Sequence, residues 1–149
     1  MNIRTFSPAL RATTLLGLLL VLGACATMTK KEDVSVVDKR AVERWNLLIA
    51  GKAEKSYDYL SPGYQKTQSR ENYAAQMNNR PVHWKKVSFL NKDCSEDVCH
   101  VRLLVDFTVN MSIGMGREAS SVDVVKEDWL NTDGHWYFLP PALGGATPK

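Results

Sequence analysis

The sequence predicts an α+β fold, with N-terminal helices packed on an antiparallel sheet. Three observations carry this expectation. Apolar residues recur near every 3.6 positions between Ser35 and Ala50, residues alternate with period two from Val98 to Met111, and Asn131-Thr132-Asp133-Gly134 reads as a hairpin turn between two strand-like runs. Helical patterns come first and strand patterns follow. That order gives segregated layers rather than alternating βα units.

Taken in order, the first helix is read from Val37, Ala41, Trp45, Leu48 and Ala50 on one face, with Lys39, Arg40, Glu43 and Arg44 on the other and Gly51 as its stop. A second short helix is expected over Ala53 to Leu60, ended by Ser61-Pro62-Gly63. A third is capped by Ser69 and runs through Tyr73, Ala74 and Met77 to the break before Pro81. Strand character then begins at Val82 and extends to Asn91, with Lys85-Lys86 marking a bulge. Val98 to Met111 places Cys99, Val101, Leu103, Val105, Phe107, Val109 and Met111 on one face, and His100, Arg102, Asp106, Thr108 and Asn110 on the other. Ser112 to Gly116 reads as a flexible connection, Ala119 to Leu130 as a third strand, and His135 to Leu139 as a fourth, ended by Pro140-Pro141.

The N-terminus carries a different signal. Arg4 and Arg11 precede an apolar run from Leu15 to Leu22, followed by the small residues Gly23 and Ala24, which is the layout of an export leader. The run would extend only about 12 Å as a helix against a hydrocarbon core of about 30 Å, which argues against a permanent span. Leu22-Gly23-Ala24-Cys25 resembles the lipobox of bacterial lipoproteins, with Gly-Ala in place of the commoner Ala-Gly. The resemblance implies cleavage before Cys25, diacylglycerol on its thiol and an acylated amine, and Ala26 implies sorting to the outer membrane. Ala24-Cys25-Ala26 also fits ordinary signal cleavage, which would release a soluble periplasmic protein. The resulting division is a leader over 1–24, a lipidated cysteine and tether over 25–35, a domain over 36–140 and a loose tail over 141–149.

Composition narrows the function classes. The formal charge is +3, but Arg4 and Arg11 lie in the leader and all 16 acidic residues lie after it, so the remainder carries +1. That balance, without a Lys/Arg cluster longer than a pair, excludes an electrostatic nucleic-acid surface. Cys94 and Cys99 remain once Cys25 is assigned. An oxidising compartment makes a disulfide the default reading, at the tip of a hairpin, with redox chemistry and free thiols as alternatives. His83, His100 and His135 fall on separate strands without ligand spacing, so no metal or other cofactor is expected.

Arg44-Trp45-Asn46 in the first helix, the run from Ala53 to Tyr64, and Asp133 to Phe138 closing the sheet resemble the nuclear transport factor 2-like superfamily across roughly Val36 to Pro140. The resemblance implies a curved sheet forming a cone, with helices over its concave side and often a pocket between them. Some members of that superfamily are isomerases, dehydratases or cyclases using Asp, His and Tyr, and others only bind or scaffold. The candidate pocket residues are Trp45, Tyr57, Tyr73, Asp106, Phe107 and Trp136. His100, Tyr59, Tyr64 and His135 are further polar candidates, and no catalytic residue is assigned. His100 and Asp106 share a strand face about 20 Å apart, so they cannot form a dyad.

The expected function is a non-enzymatic binding or assembly module, anchored by lipid to the cell envelope and facing the periplasm. Its partners are the membrane, through the anchor, and an envelope protein or a second copy. The rival expectation is a small-molecule carrier or an enzyme using the cone. A cone packed shut favours the first, and an open cavity with an unpaired buried Asp or His favours the second.

Overall fold

The computed structural model describes residues 30–111 and 117–141. The leader, Cys25, the start of the tether, the connection over 112–116 and the tail from 142 onward all lie outside the described residues. Among the described residues four α-helices come first: α1 (Val37–Ile49), α2 (Ala53–Ser56), α3 (Pro62–Gln65) and α4 (Arg70–Asn78). Four strands follow, β1 (Val82–Ser95), β2 (Val98–Met111), β3 (Arg117–Thr132) and β4 (His135–Leu139), paired antiparallel in sequence order. The fold is therefore α+β, with N-terminal helices on a four-stranded antiparallel sheet.

Helix α1 supplies the apolar stripe that covers the sheet. Val37, Ala41, Trp45 and Leu48 are buried against Val101, Leu103, Val105 and Trp129. Gly51, at φ +68, adopts the left-handed conformation that ends this helix. The second expected helix is shorter than the sequence indicates, because α2 tightens into a 3₁₀ turn over Tyr57–Tyr59. Ser61-Pro62-Gly63, expected only as a break, instead starts α3. The Ser61 side chain accepts from Tyr64 N–H, and Pro62 occupies a first-turn position where its missing donor costs nothing. Ser69 caps α4 as anticipated, accepting from Asn72 N–H.

Two bulges bend β1, at Lys85, between Trp84 and Lys86, and at Leu90, between Phe89 and Asn91. The strand continues beyond Asn91 to Ser95, so Cys94 and Cys99 face each other in register beside the β1–β2 turn, with Cα atoms 4.0 Å apart and sulfurs in disulfide geometry. Asp133 and Gly134 both have positive φ, which is the geometry of a two-residue hairpin whose twist matches its strands. Strand β4 pairs only with Asp128–Thr132, so the β3 edge from Arg117 to Glu127 carries no neighbour among the described strands.

The tether end is part of the fold rather than a free spacer. Glu32 N–H donates to Gly134 O at 2.6 Å, Trp136 N–H donates to the Glu32 carboxylate at 3.0 Å, and Trp136 Nε1 donates to Glu32 O at 3.2 Å. Lys31 pairs with Asp97 in the β1–β2 turn. Burial opposes ionisation of Glu32. The Trp136 N–H, the contact with His135 and the charge of Arg40 outweigh it and hold the carboxyl below its ordinary range. Lys31 and Glu32, which precede Val36, thus pack on the fold, and they supply partners to backbone groups of β4 and its turn.

Candidate functional site

The sequence places Arg44 on the polar side of α1; the structure corrects this. Arg44 is buried, and its Nη2 donates to Glu127 Oε1. Trp45 Nε1 donates to the same oxygen at 2.6 Å, and Trp129 Nε1 donates to Glu127 Oε2 at 2.9 Å. A buried carboxylate is thus surrounded by three N–H donors from α1 and β3. Such an arrangement compensates the desolvation of the charge. Position 44 lies three residues after Ala41, on the apolar stripe itself. A guanidinium can occupy it only because Glu127, 83 residues away, meets it there.

The cluster forms part of the wall of a cavity of about 370 Å³ between α1, α4 and the concave face of the sheet. Trp45, Leu48, Met77, Trp84 and Phe138 give it an apolar lining. The Arg44 guanidinium stacks 4.1 Å from the centre of the Phe138 ring. Arg44 Nε is buried and has no hydrogen-bond partner. Tyr64 and Tyr73 also face the cavity, and Tyr73 shares a 3.2 Å hydrogen bond with Ser56. Desolvation, with smaller contributions from Tyr73 and Tyr57 and against the charge of Arg80, raises the Tyr64 phenol above its ordinary range. An adjoining depression of about 420 Å³ shares Leu48, Met77, Arg80 and Trp84 and extends past His83 and Lys85.

Of the six expected pocket residues, Trp45 and Tyr73 line this cavity and the other four lie elsewhere. Tyr57 is buried in a separate cluster with Leu60 and Tyr73, its hydroxyl donating to Gln68 O at 2.6 Å. Trp136 is core, fixed by Glu32. Asp106 pairs with Lys86 and Val122 across the sheet, one residue out of phase with buried Val105. It therefore faces away from the helices. Phe107 follows the concave phase but sits beside Trp84 and Ser121, where it is only half-buried. The polar candidates also scatter. His100 is exposed beside Asp128, His135 lies against Glu32, and Tyr59 reaches Glu43 at 3.3 Å. Among the described residues no three His, Cys, Asp or Glu side chains gather as metal ligands.

Glu127 is the functional candidate missing from the sequence reading. Its signal was present, since alternation places Val125, Glu127 and Trp129 on one strand face, an acid between two apolar positions.

Comparison with solved structures gives a likeness of fold. A SEC-C motif-containing protein from Rhodopseudomonas palustris superposes with a TM-score of 0.51 at 15% identity, over 68% of this chain and 73% of that one. The likeness is one of fold. A Campylobacter jejuni protein provisionally described as a nuclear transport factor 2-like transpeptidase gives a TM-score of 0.45 at 15% identity, over 70% of this chain and 97% of that one. A Mycobacterium tuberculosis protein of unknown function gives 0.48 at 12% identity, over 70% and 68%. No family model and no curated protein sequence matches this chain.

Proposed function

We propose that this chain is a lipid-anchored envelope module that holds a small molecule in the cavity between its helices and sheet, without performing chemistry on it. The observation that carries the reading is an apolar, aromatic-lined cavity of about 370 Å³ whose one described acid, Glu127, is already engaged by three N–H donors. That volume lies in the range of small-ligand sites, and an apolar wall with a few placed polar groups is their usual composition. A general base needs a lone pair within reach of the proton it takes. The Glu127 oxygens are instead turned to Arg44, Trp45 and Trp129. Among the described lining residues there is no Asp or His to serve in its place.

Anchoring through Cys25 fits the same picture. Six residues separate Cys25 from Glu32, a reach of at most about 25 Å when extended. Glu32 and Lys31 are fixed at the end of the sheet that holds the β1–β2 and β3–β4 turns.

Two measurements test the proposal. Native mass spectrometry of protein released gently from membranes is expected to show a stoichiometric small molecule, lost when Val125→Trp fills the cavity. A bound-ligand mass that persists in a folded Val125→Trp variant would move the site elsewhere. For the anchor, Cys25→Ser is expected to shift the protein from the membrane to the soluble fraction, and an unacylated native N-terminus would remove that half of the proposal.

A further inference from the structure

We infer that the ligand of this cavity is a monoanionic amphiphile, with a compact apolar body against the aromatic wall and a carboxylate directed to Arg44 and Arg80. This rests on the cavity being a ligand site and names the chemistry that the site selects.

The argument is one of unmet donors and unbalanced charge. Arg44 has five N–H donors in a rigid fork. Its one described hydrogen bond is made through Nη2 to Glu127, and its Nε is buried without an acceptor. That Nε is closed to the cavity as well, so a ligand would meet the Nη groups of a guanidinium that lines the wall and has fewer oxygen partners than such a group ordinarily has. Glu127 meets the guanidinium only at Nη2, and its oxygens also accept from Trp45 and Trp129. It fixes the orientation of Arg44 and cancels one charge. Next to it, Arg80 lines both the cavity and the adjoining depression and lies 5.9 Å from the Trp84 ring, with no carboxylate partner among the described residues. Lys85, carried outward by the first β1 bulge, lines the depression as well.

Glu127 is the one carboxylate among the described residues lining either space, so the cavity and the adjoining depression together carry an excess of positive charge. An apolar wall beside uncompensated cations excludes a cationic ligand and discriminates against a neutral one. A carboxylate matches the planar guanidinium bidentately, where an alcohol offers a single acceptor. The apolar body of the ligand would gain from Trp45, Trp84 and Phe138.

The test uses the full processed protein in nanodiscs, with empty nanodiscs as the blank, titrated calorimetrically with three probes of one shape: naphthalene-2-carboxylate, 2-naphthalenemethanol and 2-naphthylmethylammonium. The carboxylate is expected to bind at least about tenfold more tightly than the alcohol, the size of one hydrogen bond to a charged group. The ammonium is expected to show no binding. Arg80→Gln, at an exposed position where folding is safe, should weaken the carboxylate severalfold and leave the alcohol unchanged. Raised salt should do the same. Arg44→Lys, which keeps the charge but loses the fork, should cost the carboxylate more than Arg80→Gln does.

Equal affinity for carboxylate and alcohol, or carboxylate affinity indifferent to both substitutions, overturns the inference and leaves the cavity as a ligand site. Tighter binding of the ammonium overturns it in favour of recognition by Glu127. Failure of all three probes, together with no co-purified molecule in native mass spectrometry, overturns both this inference and the binding role beneath it.

Discussion

Glu127 and Asp128 are adjacent in the chain, both acidic and both paired, yet they occupy opposite faces of the same strand. Glu127 points toward the helices, where its side chain and that of Arg44 are 1% and 4% exposed. Asp128 points away and meets His100 at 2.7 Å, with both side chains more than half exposed. The pleat alone separates them, because successive residues of a strand face opposite sides. The consequence is a difference in energetic regime. On the convex face water solvates either partner when the other is removed, whereas on the concave face an abandoned charge stays buried. The same contrast holds for apolar residues. Val101, Leu103 and Val105 are core, while Val122, on the convex side, is 54% exposed.

The largest expected effect comes from breaking the concave pair. Glu127→Ala should destabilise by about 3–5 kcal/mol in urea unfolding, since it strands Arg44 and two indole N–H groups. Adding Arg44→Met should recover part of that loss, and a strictly additive double mutant would show that the two do not act as a unit. Next, Cys94→Ser with Cys99→Ser should cost about 2 kcal/mol, the entropy of closing so short a loop, read as the shift in midpoint between oxidised wild type and the variant.

A smaller effect is expected at the docked tether. Glu32→Gln should cost about 1 kcal/mol at neutral pH, a hydrogen-bond-sized loss. The native pKa of Glu32 lies below its unfolded value of about 4.5, so its contribution is complete above that value and fades as pH falls through the lowered one. The stability difference between wild type and Glu32→Gln should therefore shrink on acidification. A difference that grew instead would reverse the assigned shift. The smallest effect belongs to the convex pair, where Asp128→Asn should change stability by under about 0.5 kcal/mol at pH 6. A loss comparable to that of Glu127→Ala would erase the distinction between the faces.

Much of this layout could be read along the chain. The alternation from Cys99 to Val105, the Asp133-Gly134 turn, the Lys85 bulge, the Ser69 cap and the face of α1 containing Val37, Ala41, Trp45 and Leu48 are local patterns, and each appears where its pattern lies; beyond Val105 the alternation fails, since Thr108, read on the polar face, is buried while Phe107 and Val109 are only half-buried. The site was less legible. Trp45 and Tyr73 were anticipated at the cavity, but Tyr57 and Trp136 are equally aromatic and pack elsewhere. Residue type says that a ring will be buried, and not against what.

Read alone, then, the chain established the α+β class and the succession of helices before strands, because periodicity is a property of neighbours in the chain. Tertiary structure alone decided that Arg44 is buried, that Glu127 meets it, and that Glu32 closes onto β4. Those are unions of groups 83 and 104 residues apart. A charge becomes tolerable inside a protein only when its partner arrives in space, and no local pattern records that arrival.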